Sequence, residues 1–198
     1  MYVPNVRLLL LARHGQSLFN VDGVVNGNPA LDRGLSETGQ EEARKLAGQI
    51  AGHAIDLCAV SEFPRARQTA HIALGAHADD VPTTVDRDLN DIRVGELEGQ
   101  TLAEYRAWKH VHTRHDRFPG GESLDEAAQR YARAYRRLLD HDAETILCVC
   151  HEIPVRYAVN AFLGSDDLDR PFHDIANATP YLFDAAGLRR ATERLERS

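Results

Sequence analysis

Residues 7–17 read Arg-Leu-Leu-Leu-Leu-Ala-Arg-His-Gly-Gln-Ser, an apolar run that stops abruptly at Arg13 and His14. A short run without polar alternation predicts a strand over residues 7–12 that is buried on both faces, as in parallel sheets. The same pattern returns at residues 55–60 and 145–150, and more weakly at 181–184. Helical periodicity fills the intervals. Residues 35–52 carry Thr38 and Glu41 as a capping-box pair, a stripe of Ala43, Leu46, Ala47 and Ile50, and Gly52 as a stop. A helix is expected over about 65–74. Another follows the capping pair Ser123 and Glu126, with its stripe at Leu124, Ala127, Ala128, Tyr131, Tyr135, Leu138 and Leu139, and a fourth spans 154–163. Strands alternating with helices predict an α/β fold with a mostly parallel central sheet and helices on both faces.

No repeat, low-complexity tract or linker divides the chain, so residues 1–198 are expected to form a single domain. Residues 101–118 do not fit the alternation. They carry Arg106, Lys109, Arg114, Arg117 and the histidines 110, 112 and 115, and read as a lid over the site or as a solvated helical excursion.

The 198 residues are 43% hydrophobic and 27% charged, ordinary for a globular protein, with a formal net charge of -7. That balance argues against nucleic acid or an anionic membrane as partner. Cys58, Cys148 and Cys150 are an odd number; Cys148 and Cys150 share one face of a strand, so buried reduced thiols are expected. No stretch has transmembrane length and residues 8–12 are too short for a signal-peptide core, which points to the cytoplasm. The sequence is compatible with a monomer or a homodimer.

Ligands of open parallel sheets bind beyond the carboxyl ends of the strands. The first strand delivers Arg13 and His14 there, the second Ser61 and then Arg65, and the third His151. Each of these alone reads as a structural histidine or a solvated arginine. Together on matching strand ends they suit a phosphoryl group, which two guanidinium groups can grip while an imidazole attacks in line. Other schemes fit poorly. There is no Gly-Lys-Ser or Gly-Lys-Thr, and His151-Glu152 does not continue as a zinc-protease helix. Ser61 lacks a Gly-x-Ser-x-Gly setting. His110 and His112 would diverge on a helix. Neither metal nor cofactor is expected.

Arg13-His14-Gly15-Gln16-Ser17-Leu18-Phe19-Asn20 resembles the signature Arg-His-Gly-x-Thr/Ser-x-x-Asn of the histidine phosphatase superfamily, whose other large branch holds the cofactor-dependent phosphoglycerate mutases. Further motifs follow in the family's order. Asn26-Gly27 stands at the substrate-contacting loop, and Asp32, Leu35, Thr38 and Gly39 at the entry to the first helix. Ser61 to Ala70 resembles Ser-x-x-x-Arg-Ala-x-x-Thr-Ala. Leu89-Asn90-Asp91 with Gly95 and Glu98-Gly99 resembles the acid-bearing segment. Gly121-Glu122-Ser123, His151 and Asn177 complete the series.

The resemblance implies a three-layer, phosphoglycerate mutase-like sandwich and a phosphomonoesterase acting on a small phosphate ester. His14 would be phosphorylated, with Arg13, Arg65 and a protonated His151 on the phosphoryl oxygens. Asp91 would be the proton donor, and Gln16, Ser17, Asn20, Asn26, Gly27 and Glu152 would contact substrate. Two positions depart from the pattern. Asp91 replaces the usual Glu, with Glu96 and Glu98 as rivals, and Glu152 replaces a Gly after the second histidine. A carboxylate there either pairs with an arginine or faces away. The modest length between Asp91 and Gly120 favours hydrolysis over a mutase. A non-catalytic phospho-ligand module on the same fold is the other alternative.

Overall fold

Successive side chains of a strand point to opposite faces, and here both faces are covered. The computed structural model describes residues 6–170, 172 and 174–198. Its chain order is β1 (Leu8–Arg13), α1 (Leu18–Asp22), α2 (Glu37–Ile50), β2 (Leu57–Val60), α3 (Pro64–Leu74) and β3 (Thr83–Val85). There follow α4 (Leu102–Val111), α5 (Leu124–Leu139), β4 (Thr145–Cys150), α6 (Glu152–Phe162), β5 (Pro180–Asp184) and α7 (Ala185–Leu195). The sheet runs β3-β2-β4-β1-β5, parallel except for β5, which lies antiparallel to β1.

Leu9, Leu11, Ala59, Ile146, Cys148 and Cys150 face one layer, built mainly from α5, α6 and α7. Leu10, Ala12, Cys58, Val60, Leu147 and Val149 face the other, built from α2 and α3. All three cysteines are buried and free. Among the described residues no helix is long and apolar enough to cross a membrane.

Two helix starts differ from the sequence reading. The cap of α2 is Ser36, whose hydroxyl accepts from Gly39 N–H, so the Thr38–Glu41 pair is not the cap. Leu35 stays extended because it bridges to Ser17 and donates its N–H to Gln68 Oε1. The helix expected from residue 154 begins at Glu152, since a proline in the first turn removes an N–H that has no intrahelical partner. Residues 101–118 contain a helix, α4, entered through a capping box of Thr101 and Glu104. The Trp108 and Phe118 rings pack with centroids 4.2 Å apart.

Two elements carried too little signal. β3 is three exposed residues on the sheet edge. α7 buries Leu188, Ala191, Thr192 and Leu195 behind the weak strand β5.

Candidate active site

Register sets the chemistry. Arg13 pairs with Cys150 across β1 and β4, and His14 N–H donates to the Cys150 carbonyl at 2.9 Å. His14 and His151 therefore leave adjacent strands at the same level, their ring centroids 5.2 Å apart. Ser61 follows β2, the other neighbour of β4, and its Oγ lies 2.9 Å from His151 Nε2. The loop after His14 lies directly on the first turn of α2. A Cβ at Gly15 would overlap the Gly39 carbonyl, and one at Gly39 would overlap that of Gln16. Asn177 Nδ2 closes the other side, donating to the His14 carbonyl at 2.8 Å.

His14 is buried, and its Nδ1 lies 2.6 Å from the Gly15 carbonyl oxygen. A carbonyl can only accept, so Nδ1 carries the proton and the lone pair of the neutral ring is on Nε2. Arg65 Nε donates to that Nε2 at 3.1 Å. Burial, then the Arg65 and Arg13 charges, hold the His14 pKa well below the usual histidine value against the Gly15 bond. The ring is neutral and held in one orientation.

Arg65 stands in the first turn of α3, with Pro64 at the helix start. It organises the inner wall. Its Nη1 donates to Asn26 Oδ1 at 2.5 Å and Asp32 Oδ1 at 3.2 Å, and its Nη2 to the Asn26 carbonyl at 3.1 Å. Asp32 Oδ2 also accepts from the Arg65 backbone N–H at 2.8 Å. Nη2 reaches His151 Nδ1 at 3.3 Å, so the neutral His151 ring accepts there and donates through Nε2 to Ser61. Burial, Arg65 and His14 push the His151 pKa well below its usual value. Burial and these neighbours thus favour the neutral His151 ring in the ligand-free site.

Asp91 Oδ2 lies 3.6 Å from both Arg65 Nη2 and His151 Nδ1, while Oδ1 accepts from Ile92 N–H at 2.9 Å. Burial raises its pKa; Arg65, the Ile92 N–H and Arg13 oppose that, and Glu152 reinforces it. A raised carboxylate pKa suits a proton donor. The rivals are placed elsewhere. Glu98 accepts from Asn26 Nδ2 at 2.7 Å and Gly27 N–H at 2.8 Å, which ties down the Asn26 loop, and Glu96 is exposed away from the pocket.

A pocket of about 520 Å³ joins Arg13, His14, Arg65 and Asp91 to Ser17, Asn20, Asn26, Gly27 and Glu152, with Tyr105, Arg106, Lys109 and His110 of α4 above them. Ser17 and Asn20 cap α1 reciprocally, which occupies part of their hydrogen-bonding capacity. Gln16 is not brought to the pocket. Its backbone N–H donates to Glu42, and its Oε1 accepts from Ser36 Oγ at 2.8 Å beside α2. His112 and His115 also turn away, to the Trp108 carbonyl and Asp125.

Sequence reasoning assigned no role to Arg130. Its Nη1 donates to the carbonyls of Asp88 and Asn90, and its Nη2 to that of Asp91, all within 2.9–3.2 Å. The buried Glu122 carboxylate holds it from behind. Gly121-Glu122-Ser123 carried a signal for Glu122; Arg130 looked like one more arginine on an amphipathic helix.

The chain matches the model of the histidine phosphatase superfamily (branch 1) over residues 9–196. It is similar to the 2,3-bisphosphoglycerate-dependent phosphoglycerate mutase of Methylobacterium sp. (strain 4-46), 37% identical over 190 residues that cover 89% of this chain and 90% of that protein. Human 6-phosphofructo-2-kinase/fructose-2,6-bisphosphatase 1 is 31% identical over 200 residues, covering 92% of this chain and 40% of that longer protein. The solved α-ribazole phosphatase of Shigella flexneri superposes with a TM-score of 0.72 at 25% identity, over 89% of this chain and 95% of that one.

Proposed function

The chain belongs to the histidine phosphatase superfamily (branch 1), and on that premise we propose that it hydrolyses small phosphate monoesters through a phosphohistidine on His14. The observation that carries the proposal is the orientation of one ring. Nδ1–H is held by the Gly15 carbonyl, and the Nε2 lone pair sits beside Arg65 in the pocket.

In the first step Arg65 Nε turns from His14 Nε2 to a phosphoryl oxygen. The freed Nε2 lone pair attacks phosphorus in line, a bond forms between nitrogen and phosphorus, and the bond to the leaving oxygen breaks. Asp91 gives its proton to that oxygen. Arg13 and Arg65 donate to the non-bridging oxygens, joined by His151 once the phosphoryl charge favours its protonation. In the second step water attacks phosphorus, its proton passes to the Asp91 carboxylate, and the nitrogen–phosphorus bond breaks to regenerate His14. Residues 101–118 serve as the lid of a single domain, presenting Tyr105, Arg106 and Lys109 to the leaving group.

A mutase is the second reading, favoured by the 37% identity to the Methylobacterium enzyme. Hydrolysis is preferred because the cover is a single ten-residue helix and because Glu152 already pairs with two of the pocket's arginines. A bisphosphorylated intermediate would need that positive charge unpaired. The test measures inorganic phosphate released from phosphomonoesters against isomerisation of 3-phosphoglycerate, together with trapping of a phosphohistidine that His14→Ala abolishes. Isomerisation without net phosphate release would overturn the hydrolase reading. Phosphate-analogue binding with no trapped intermediate would instead favour a binding module.

A further inference from the structure

Glu152 opens α6, directly after His151, and its carboxylate bridges two guanidinium groups. Oε2 lies 3.1 Å from Arg13 Nη1, and Oε1 accepts from Arg156 Nη1 at 3.0 Å. Arg13 Nη1 also donates to the Ile175 carbonyl at 2.9 Å, so that nitrogen is fixed on two sides. Arg156 continues the chain of ion pairs. Its Nη2 lies 3.4 Å from Asp169 Oδ1, and Asp169 in turn meets Arg114 at 2.7 Å and Lys109 of α4 at 3.7 Å. The Nε atoms of both Arg13 and Arg156 are buried without a hydrogen-bond partner in the protein. Each guanidinium thus uses an Nη on Glu152 and keeps a donor unspent. The first turn of a helix also favours a negative side chain.

We propose that Glu152 is a positioning residue: a resident anion that holds Arg13 in the pocket until a phosphoryl group takes its place, and that sets the charge felt by Asp91. When phosphate enters, Arg13 turns its donors to the phosphoryl oxygens, and Glu152 stays anchored to Arg156. The groups that face Asp91 are Arg65 and His151, each at 3.6 Å, with Arg13, Glu152, Tyr105 and Tyr131 farther out. The three arginine and histidine neighbours favour the carboxylate or are neutral. Glu152, which lines the same pocket, acts with burial in raising the Asp91 pKa.

The turnover part of this inference rests on the phosphohistidine reading; the anion-binding part does not. The experiment compares the wild type with Glu152→Gln and Glu152→Asp. Calorimetric titration with orthovanadate and with inorganic phosphate should show Glu152→Gln binding both about 3- to 10-fold more tightly, because no carboxylate competes for Arg13 and like-charge repulsion is lost. The alkaline limb of kcat on an alkyl phosphate should move to lower pH. On p-nitrophenyl phosphate, whose leaving group needs no proton, kcat should fall several-fold less than on the alkyl ester. Glu152→Asp should restore the limb towards its wild-type position. Unchanged or weaker anion binding by a folded Glu152→Gln would overturn the proposal. So would equal losses of kcat on the two esters with the limb in place, the signature of a residue that merely staples α6. A wild type that forms no phosphohistidine would sink the hydrolase reading, and the calorimetry would still decide the role of Glu152 as resident anion.

Discussion

The inner wall of the pocket and the helix that covers it are built on opposite terms. On the inner wall, His14, Arg65 and His151 are buried and their polar atoms are engaged with one another, with backbone or with the side chains of Ser61, Asn26 and Asp32. Their places follow from the pairing of β1, β4 and β2, which can shift only by breaking the ladder and inverting the side-chain faces. On the cover, no residue of α4 is fully buried, and the helix is held by the contacts of Tyr105 and Trp108 with Phe118 and by the Lys109–Asp169 pair. The proposed reaction would therefore place its chemistry on a fully buried edge and its leaving-group contacts on a helix that is only partly buried. Local stability follows buried contact, so the cover is expected to open at lower cost than the inner wall.

The sharpest way to break this contrast is at the nucleophile. His14→Ala should lower turnover at least about 10⁴-fold while the protein stays folded, as read by phosphate release and thermal unfolding. Loss of the fold in step with activity would show that the ring is a packing element first. Arg65→Ala should hurt both properties. The loss of its donors should cost about 10²–10³-fold in kcat. Its partner Asp32, with a side chain 0% exposed, would be left buried without its guanidinium partner, a destabilisation of about 3–5 kcal/mol by denaturant titration.

A pH titration sharpens the comparison further. His14 and His151 have depressed pKa values in the folded protein, so the unfolded chain takes up protons that the native site refuses. Stability is fully present above the ordinary histidine value of 6.5 and should be lost as pH falls below it. Each ring contributes a slope of up to about 1.4 kcal/mol per pH unit. His14→Ala should remove one ring's share; an unaltered slope would contradict the buried, neutral state of His14. The smallest effects belong to the cover. Lys109→Ala and Arg106→Ala should change KM about 3- to 10-fold in a substrate-dependent way and leave the unfolding midpoint within a few degrees. A cooperative loss of stability in either variant would place α4 in the rigid part of the molecule.

The apolar runs at β1, β2 and β4 and the stripe of α5 were legible because continuous burial on both faces leaves no polar residue in a strand, and one-sided burial leaves a 3.6-residue period. β3 and α7 were not. Three exposed residues have no pattern to show, and α7 lies behind a strand whose own signal was weak. At the site, His14, Arg13, Arg65, His151 and Asp91 could be named from motif and strand ends, and the structure brings these five together. Gln16 was named through the family resemblance, but its side chain turns to Ser36 at the start of α2.

The sequence by itself determined the order of strands and helices, the side chains available at the strand ends and the excess of carboxylates over basic groups. The tertiary structure decided what those side chains do to each other. Which nitrogen of His14 holds the proton depends on the Gly15 carbonyl, and the proton affinity of Asp91 depends on burial together with Arg65, Arg13 and Glu152. Whether Glu152 faced away or paired depended on Arg13 and Arg156, one on another strand and one a helical turn on. Hydrogen bonds and Coulomb interactions act over a few ångströms through space, whereas these residues are separated by up to 143 positions in the chain, from Arg13 to Arg156. Only the folded sheet sets those distances.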